Sequence, residues 1–139
     1  MEARSYLNQA YVLQRKMENT REELTKVEGL LLQGVSFEEK LGSGDNNKNE
    51  RVIFRLLELK DKLMFQLDEF ISSITEIAET INQLEDGNEI TVLHKRYIQF
   101  KTFAQIAEEM NYSTRQTYRI HDNAVADVQR LLNDVIECQ

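Results

Sequence analysis

The chain has 139 residues, no proline, five glycines and a hydrophobic share of 41%. That length suits one compact domain or two small units, and a proline-free composition favours long helices over a β-sandwich or barrel. The net charge of -7 speaks against a surface that is basic throughout, the usual footprint of a nucleic-acid binder.

The first helical pattern covers residues 2–32. Leu7, Ala10, Leu13, Met17, Leu24, Val27 and Leu31 fall on one stripe with alternating spacings of three and four, and Thr20 is its polar gap. Tyr6 and Tyr11 read as packing residues beside that stripe. The opening MEARSYLNQAY has no apolar core of a secretory signal, and no apolar run approaches transmembrane length, so no membrane partner is expected. The single cysteine, Cys138, allows no disulfide within the chain, which fits a reducing cytosol.

Residues 33–50 contain Gly34, Gly42, Gly44 and an Asp-Asn-Asn run, and read as a loop with a mobile tip at 42–49. Val35, Phe37 and Leu41 are expected to pack back onto the helices. The next pattern is longer. Ile53, Leu56, Lys60, Leu63, Leu67, Phe70, Ile74, Ile77, Ile81 and Leu84 repeat at heptad spacing, with Lys60 the one polar member. Such a repeat implies a seam against another helix. Lys60 reads as snorkelling at the seam edge, and Phe54, Phe65 and Phe70 as packing residues. The seam can close within the chain, as an antiparallel hairpin, or between two chains of a homodimer. At residues 85–89 the helix should stop, with Gly87 as the left-handed residue after its end and Asn88 opening the next segment. The expected boundary follows: 1–86 an oligomerising hairpin or coiled coil, 87–139 a second, all-helical domain.

That second part reads as three helices. The first has Ile90, Leu93 and Tyr97 inward. The second opens on the capping box Thr102-Phe103-Ala104-Gln105 and buries Phe103, Ile106, Ala107 and Met110. Asn111 and Tyr112 turn the chain, Asn tolerating the left-handed conformation. Ser113 to Gln116 form a second box, and the last helix runs to about Val135. Two helices joined by so short a turn make a helix-turn-helix. In the last helix Thr117, Ile120, His121, Ala124, Val128, Leu131 and Leu132 share the core stripe. Arg115, Arg119 and Asp122 fall on the opposite face, flanked by Thr114, Gln116 and Tyr118. Those six are the candidate base-reading residues, since Arg matches guanine and Gln matches adenine in the major groove. The charge is uneven as well. Residues 1–87 carry a net -6 and residues 88–139 only -1, and between Ile90 and Ala107 stand Lys95, Arg96 and Lys101 with no acid. These three, with Thr102 and Ser113, are the candidate phosphate contacts. On phase alone a solvated charged face, with Arg119 and Asp122 as an ordinary pair on one helix, is as good a reading.

The stretch Leu93 to Leu132 resembles the region-four helix-turn-helix of sigma factors. The matching residues are Arg96-Tyr97, Thr102-Phe103, Ile106-Ala107, Met110 and Ser113, followed by small or apolar residues at Thr117, Ile120, Ala124 and Val128. Asn111 stands at the turn where that pattern more often has Gly. The layout of helical region followed by this domain also resembles phage and prophage regulators of the ArpU/RinA type. That resemblance implies a sequence-specific DNA-binding transcriptional regulator of phage genes, acting on double-stranded DNA with RNA polymerase as a further candidate partner, and the expected state is a homodimer. Two further readings stay open: an adaptor that contacts RNA polymerase, and a small terminase-like packaging subunit.

No catalytic set is visible, so no enzyme is expected. His94 and His121 lack ligand spacing for a metal, Cys138 has no histidine beside it in sequence, and GSGD does not follow a strand as a phosphate loop would. No cofactor is implied.

Overall fold

A computed structural model describes the backbone of residues 1–41 and 46–137 and the side chains of 1–33 and 49–135. Within these the protein is all-α: α1 (Ala3–Leu7), α2 (Gln9–Leu41), α3 (Asn46–Asn82), α4 (Gly87–Leu93), α5 (Phe103–Met110) and α6 (Thr114–Glu137). No described helix is long and apolar enough to cross a membrane. The stretch read as a loop at 33–50 is helical up to Leu41 and again from Asn46. Of the tip expected to move at 42–49, residues 46–49 belong to a helix; residues 42–45, the packing of Val35, Phe37 and Leu41, and Cys138 lie outside the described residues.

The helices form two compact units. One comprises Met1–Val12 together with Phe70–Gln139; the other is Leu13–Glu69. The first unit therefore draws in both ends of the segment 1–86. Ala3, Tyr6, Leu7 and Ala10 come from the N-terminus, Ile77, Ile81 and Leu84 from α3, and Leu93, Tyr97, Ala124 and Val128 from beyond it. All of them are buried in a single core. The physical reason lies in the short helices. α4 and α5 have seven and eight residues, too few to cover the apolar stripe of the 24-residue α6. The N-terminal segment and the end of α3 complete the cover.

The second unit is a stretch of the α2–α3 hairpin. Leu59 is fully buried, Thr20 is buried with its hydroxyl returned to the Lys16 carbonyl, and Arg55 pairs with Glu23 across the two helices. Here the seam register differs from the heptad reading. Leu59 occupies the inner face where Lys60 was expected, and Lys60 is exposed; Ile53 is 44% exposed. Phe54 and Phe65, read as packing residues, are 69% and 66% exposed. This part of α3 has two apolar stripes, Val52-Leu56-Leu59-Leu63 and Ile53-Phe54-Leu57-Met64-Phe65, and α2 covers the first.

Gly87 has another role than the one expected. α3 ends at Asn82, and Gly87 is the first residue of α4, whose N-cap is Asp86. The Asp86 carboxylate accepts from the backbone N–H of Asn88 and of Glu89. An aspartate that satisfies two free N–H groups at a helix start is a stronger determinant than glycine's freedom at a helix end.

Candidate nucleic-acid interface

The helix-turn-helix is built by local sequence. Thr102 caps α5: its hydroxyl accepts from the Gln105 N–H and its own N–H donates to the Gln105 side chain, so the box is complete. α5 buries Ile106 and Ala107 and ends where Asn111 takes φ 59°, ψ 38°. The N–H groups of Asn111 and Tyr112 then close onto the carbonyls of Glu108 and Ala107, satisfying two free carbonyls of the helix end. Asn at this position supplies the left-handed residue that glycine more often supplies. Two residues later the Ser113 hydroxyl accepts from the Gln116 N–H and starts α6. The second box is half formed: among the described residues the Gln116 side chain returns no bond to the Ser113 N–H, and Gln116 is exposed.

The core side of α6 is as expected. Thr117, His121, Ala124 and Val128 are buried. Thr117 returns its hydroxyl to the Ser113 carbonyl. The Tyr97 hydroxyl lies 2.7 Å from His121 Nε2, and His121 Nδ1 lies 3.3 Å from Asp122 Oδ1. A carboxylate on Nδ1 favours the tautomer with the proton there, so Nε2 accepts from the tyrosine. Burial holds the His121 pKa below its ordinary value, with the Asp122 bond opposing, and burial pushes the Tyr97 hydroxyl up.

The outer side carries the candidate readers. Thr114, Arg115, Gln116 and Arg119 are exposed, and among the described residues neither arginine forms an ion pair or hydrogen bond. Tyr118 is also exposed at its edge, but its ring stacks on Phe103 at 4.3 Å. Asp122 is held by Arg4 of α1, with Arg4 Nη2 3.2 Å from its Oδ1.

The phosphate candidates are more engaged with the protein itself. Arg96 donates to the Lys101 carbonyl at 3.0 Å and lies over the Phe103 ring at 4.5 Å, so it braces the turn between α4 and α5. Lys95 and Lys101 both meet Glu109 on α5, and the Lys101 bond above all holds that carboxyl below the usual range. Thr102 and Ser113 act as caps, with exposed side chains at the start of their helices.

Three features escaped the sequence reading. α4 runs on into one wide π-type turn, His94–Ile98, in which the Gln99 N–H reaches back five residues to the His94 carbonyl. Phe100 then adopts φ 59°, unusual for a bulky residue, and its ring meets Tyr11 at 5.8 Å and Phe70 at 6.4 Å. The aromatic contacts offset a backbone cost of roughly 1–2 kcal/mol. Glu89 is buried under α6, and desolvation, then Asp127, raises its pKa to about 7. No local signal marks the last two, since both depend on distant neighbours.

A family model described as protein of unknown function, DUF1492, matches residues 30–129. The chain belongs to that family. This DUF1492 protein is also similar to the RNA polymerase sigma-D factor of Bacillus subtilis (strain 168), 29% identical over 116 residues. That match covers 81% of this chain and 43% of the relative, so the chain spans under half of the relative's length. No solved structure gives a significant match. The family match and the sigma-factor likeness, together with the capped α5–turn–α6 geometry, support a sigma-region-four-like fold for the C-terminal helices.

Proposed function

We propose that this DUF1492 protein is a sequence-specific DNA-binding transcriptional regulator that sets α6 in the major groove of duplex DNA. The observation that carries the reading is the state of Arg115 and Arg119. They stand in the first two turns of the second helix of a helix-turn-helix, exposed and unpaired among the described residues. Those turns are the ones that reach base edges, and an arginine with no internal partner keeps its planar donors for a guanine. Thr114, Gln116, Tyr118 and Asp122 border them. The sigma-factor likeness supports the same role, and the layout shared with ArpU/RinA-type proteins supports a phage-derived regulator. The protein acts as a homodimer in this reading, because one small module buries too little surface for tight specific binding and two linked modules gain effective concentration. The phosphate contacts fall to Lys95, Lys101 and the capped helix starts at Thr102 and Ser113.

Selection of bound sequences from a random duplex pool tests this, with wild type beside an Arg115→Ala/Arg119→Ala double variant. Enrichment of a palindromic or repeated site by wild type alone supports it. No enrichment by wild type, or the same enrichment by both, overturns it. A second reading, an adaptor that contacts RNA polymerase, draws on the name of the sigma-D relative. Capture of polymerase by the protein in the absence of DNA, unaffected by the arginine variants, would favour it.

A further inference from the structure

The exposed face of α6 carries one acid beside its arginines. Asp122 follows Arg119 by three residues, a spacing at which an acid and a cation on one helix meet. Among the described residues, however, Arg119 makes no ion pair, and Asp122 Oδ1 is taken by Arg4 Nη2 at 3.2 Å and His121 Nδ1 at 3.3 Å. Arg4 is held at that place. Its neighbours Ala3, Tyr6 and Leu7 are buried, the Ala3 N–H donates to Gln129 Oε1 at 2.8 Å, and Gln129 Nε2 donates to the Met1 carbonyl at 3.1 Å. The Tyr6 hydroxyl lies 2.8 Å from that of Thr80. The N-terminal segment is thus docked along α6, with its one cationic side chain on the acid of the candidate reading face.

We propose that Arg4 is a positioning residue of the DNA-reading face: by occupying Asp122 it leaves Arg119 unpaired and restores the positive charge the acid removes. The proposal rests on the DNA-reading role of α6. A carboxylate within a Debye length of the phosphates opposes binding. Left alone on its helix, Asp122 would also compete with the DNA for Arg119. Both partners of the Arg4–Asp122 pair have side chains 61% exposed, and so exposed a pair adds little to folding. Its consequence lies in binding.

The test is a fluorescence-anisotropy titration of a labelled duplex carrying the selected site, repeated across a range of salt. The proteins are wild type, Arg4→Ala, Arg4→Lys, Asp122→Asn and the Arg4→Ala/Asp122→Asn pair. Arg4→Ala should weaken binding roughly three- to tenfold near 0.1 M salt, and by less at high salt, where the uncovered Asp122 charge is screened. Arg4→Lys should stay close to wild type, and Asp122→Asn should bind more tightly. The loss from Arg4→Ala should be smaller when residue 122 is Asn, because no acid remains to take Arg119. Wild-type affinity in Arg4→Ala, an equal loss in both backgrounds, or weaker binding by Asp122→Asn overturns the proposal. Near-UV circular dichroism confirms that each variant folds, and Asp122→Asn alone decides the matter if Arg4→Ala does not. Failure of the underlying role reads differently: wild type then binds no duplex, or Arg115→Ala/Arg119→Ala binds as wild type does.

Discussion

Replacing Arg96 separates two uses of one cation. As a phosphate contact, its loss would weaken DNA binding and leave the fold alone. The structure instead spends Arg96 on the turn after α4, where it donates to the Lys101 carbonyl at 3.0 Å and covers the Phe103 ring at 4.5 Å. A hydrogen bond from a charged donor is worth about 1.5–3 kcal/mol and an aromatic contact of this kind about 0.5–1 kcal/mol. Arg96 is only half-buried, and water can solvate the carbonyl it leaves. Arg96→Ala should therefore cost about 1–3 kcal/mol of stability. Arg96→Lys should recover little of it, because an ammonium cannot lie flat on the ring and reach the carbonyl together. Denaturant unfolding followed by tyrosine near-UV circular dichroism suits the measurement. The chain has no tryptophan, and its five tyrosines, Tyr6, Tyr11, Tyr97, Tyr112 and Tyr118, all lie in the unit that contains this turn. A midpoint for Arg96→Ala equal to wild type, with DNA binding weakened by Arg96→Ala and restored by Arg96→Lys, would refute the structural role and return Arg96 to the phosphate contacts.

Other outcomes follow from the same structure. Leu59→Ala should cost about 2–4 kcal/mol in far-UV unfolding while Lys60→Ala stays within about 0.5 kcal/mol of wild type; the reverse order would restore the heptad register. Glu109→Gln releases Lys95 and Lys101, so binding to duplexes of any sequence should tighten and the salt slope should steepen by about one; no change would mean that these lysines do not reach phosphate. Glu89, with its folded pKa raised to about 7 from 4.5, keeps its proton in the folded state over that window while the unfolded chain loses it. Its contribution is present below pH 4.5 and is lost as the pH rises through about 7. Glu89→Gln should flatten that fall and stabilise the protein by about 1–2 kcal/mol at mildly alkaline pH, and a steeper fall would contradict the burial. His121 acts in the opposite direction: its lowered pKa takes stability away as the pH drops below its ordinary value of 6.5, so His121→Gln should soften acid unfolding.

The features that could be read in advance are those in which cause and effect lie within a few residues. The absence of proline and the three-four spacing of apolar residues specify helices, because each helix closes its hydrogen bonds within itself. The Thr102–Gln105 box, the left-handed Asn111 and the Ser113 cap are likewise contacts over three to five residues. The phase of α6 follows from its one continuous stripe, which leaves Arg115 and Arg119 outside. Reading failed where several partners could answer the same local pattern. α3 offers two apolar stripes between residues 52 and 65, and periodicity cannot say which one α2 covers; the tertiary seam chose Leu59 over Lys60. Asp86 and Gly87 could each have ended one helix or begun the next. Lys95, Arg96 and Lys101 look alike as basic residues, and only packing shows that Glu109, Phe103 and a backbone carbonyl engage them. Most distant of all is Arg4, separated by 118 positions from the acid it meets. Nothing local encodes that pair, because it arises from the need of α6 to bury its stripe against the N-terminal segment.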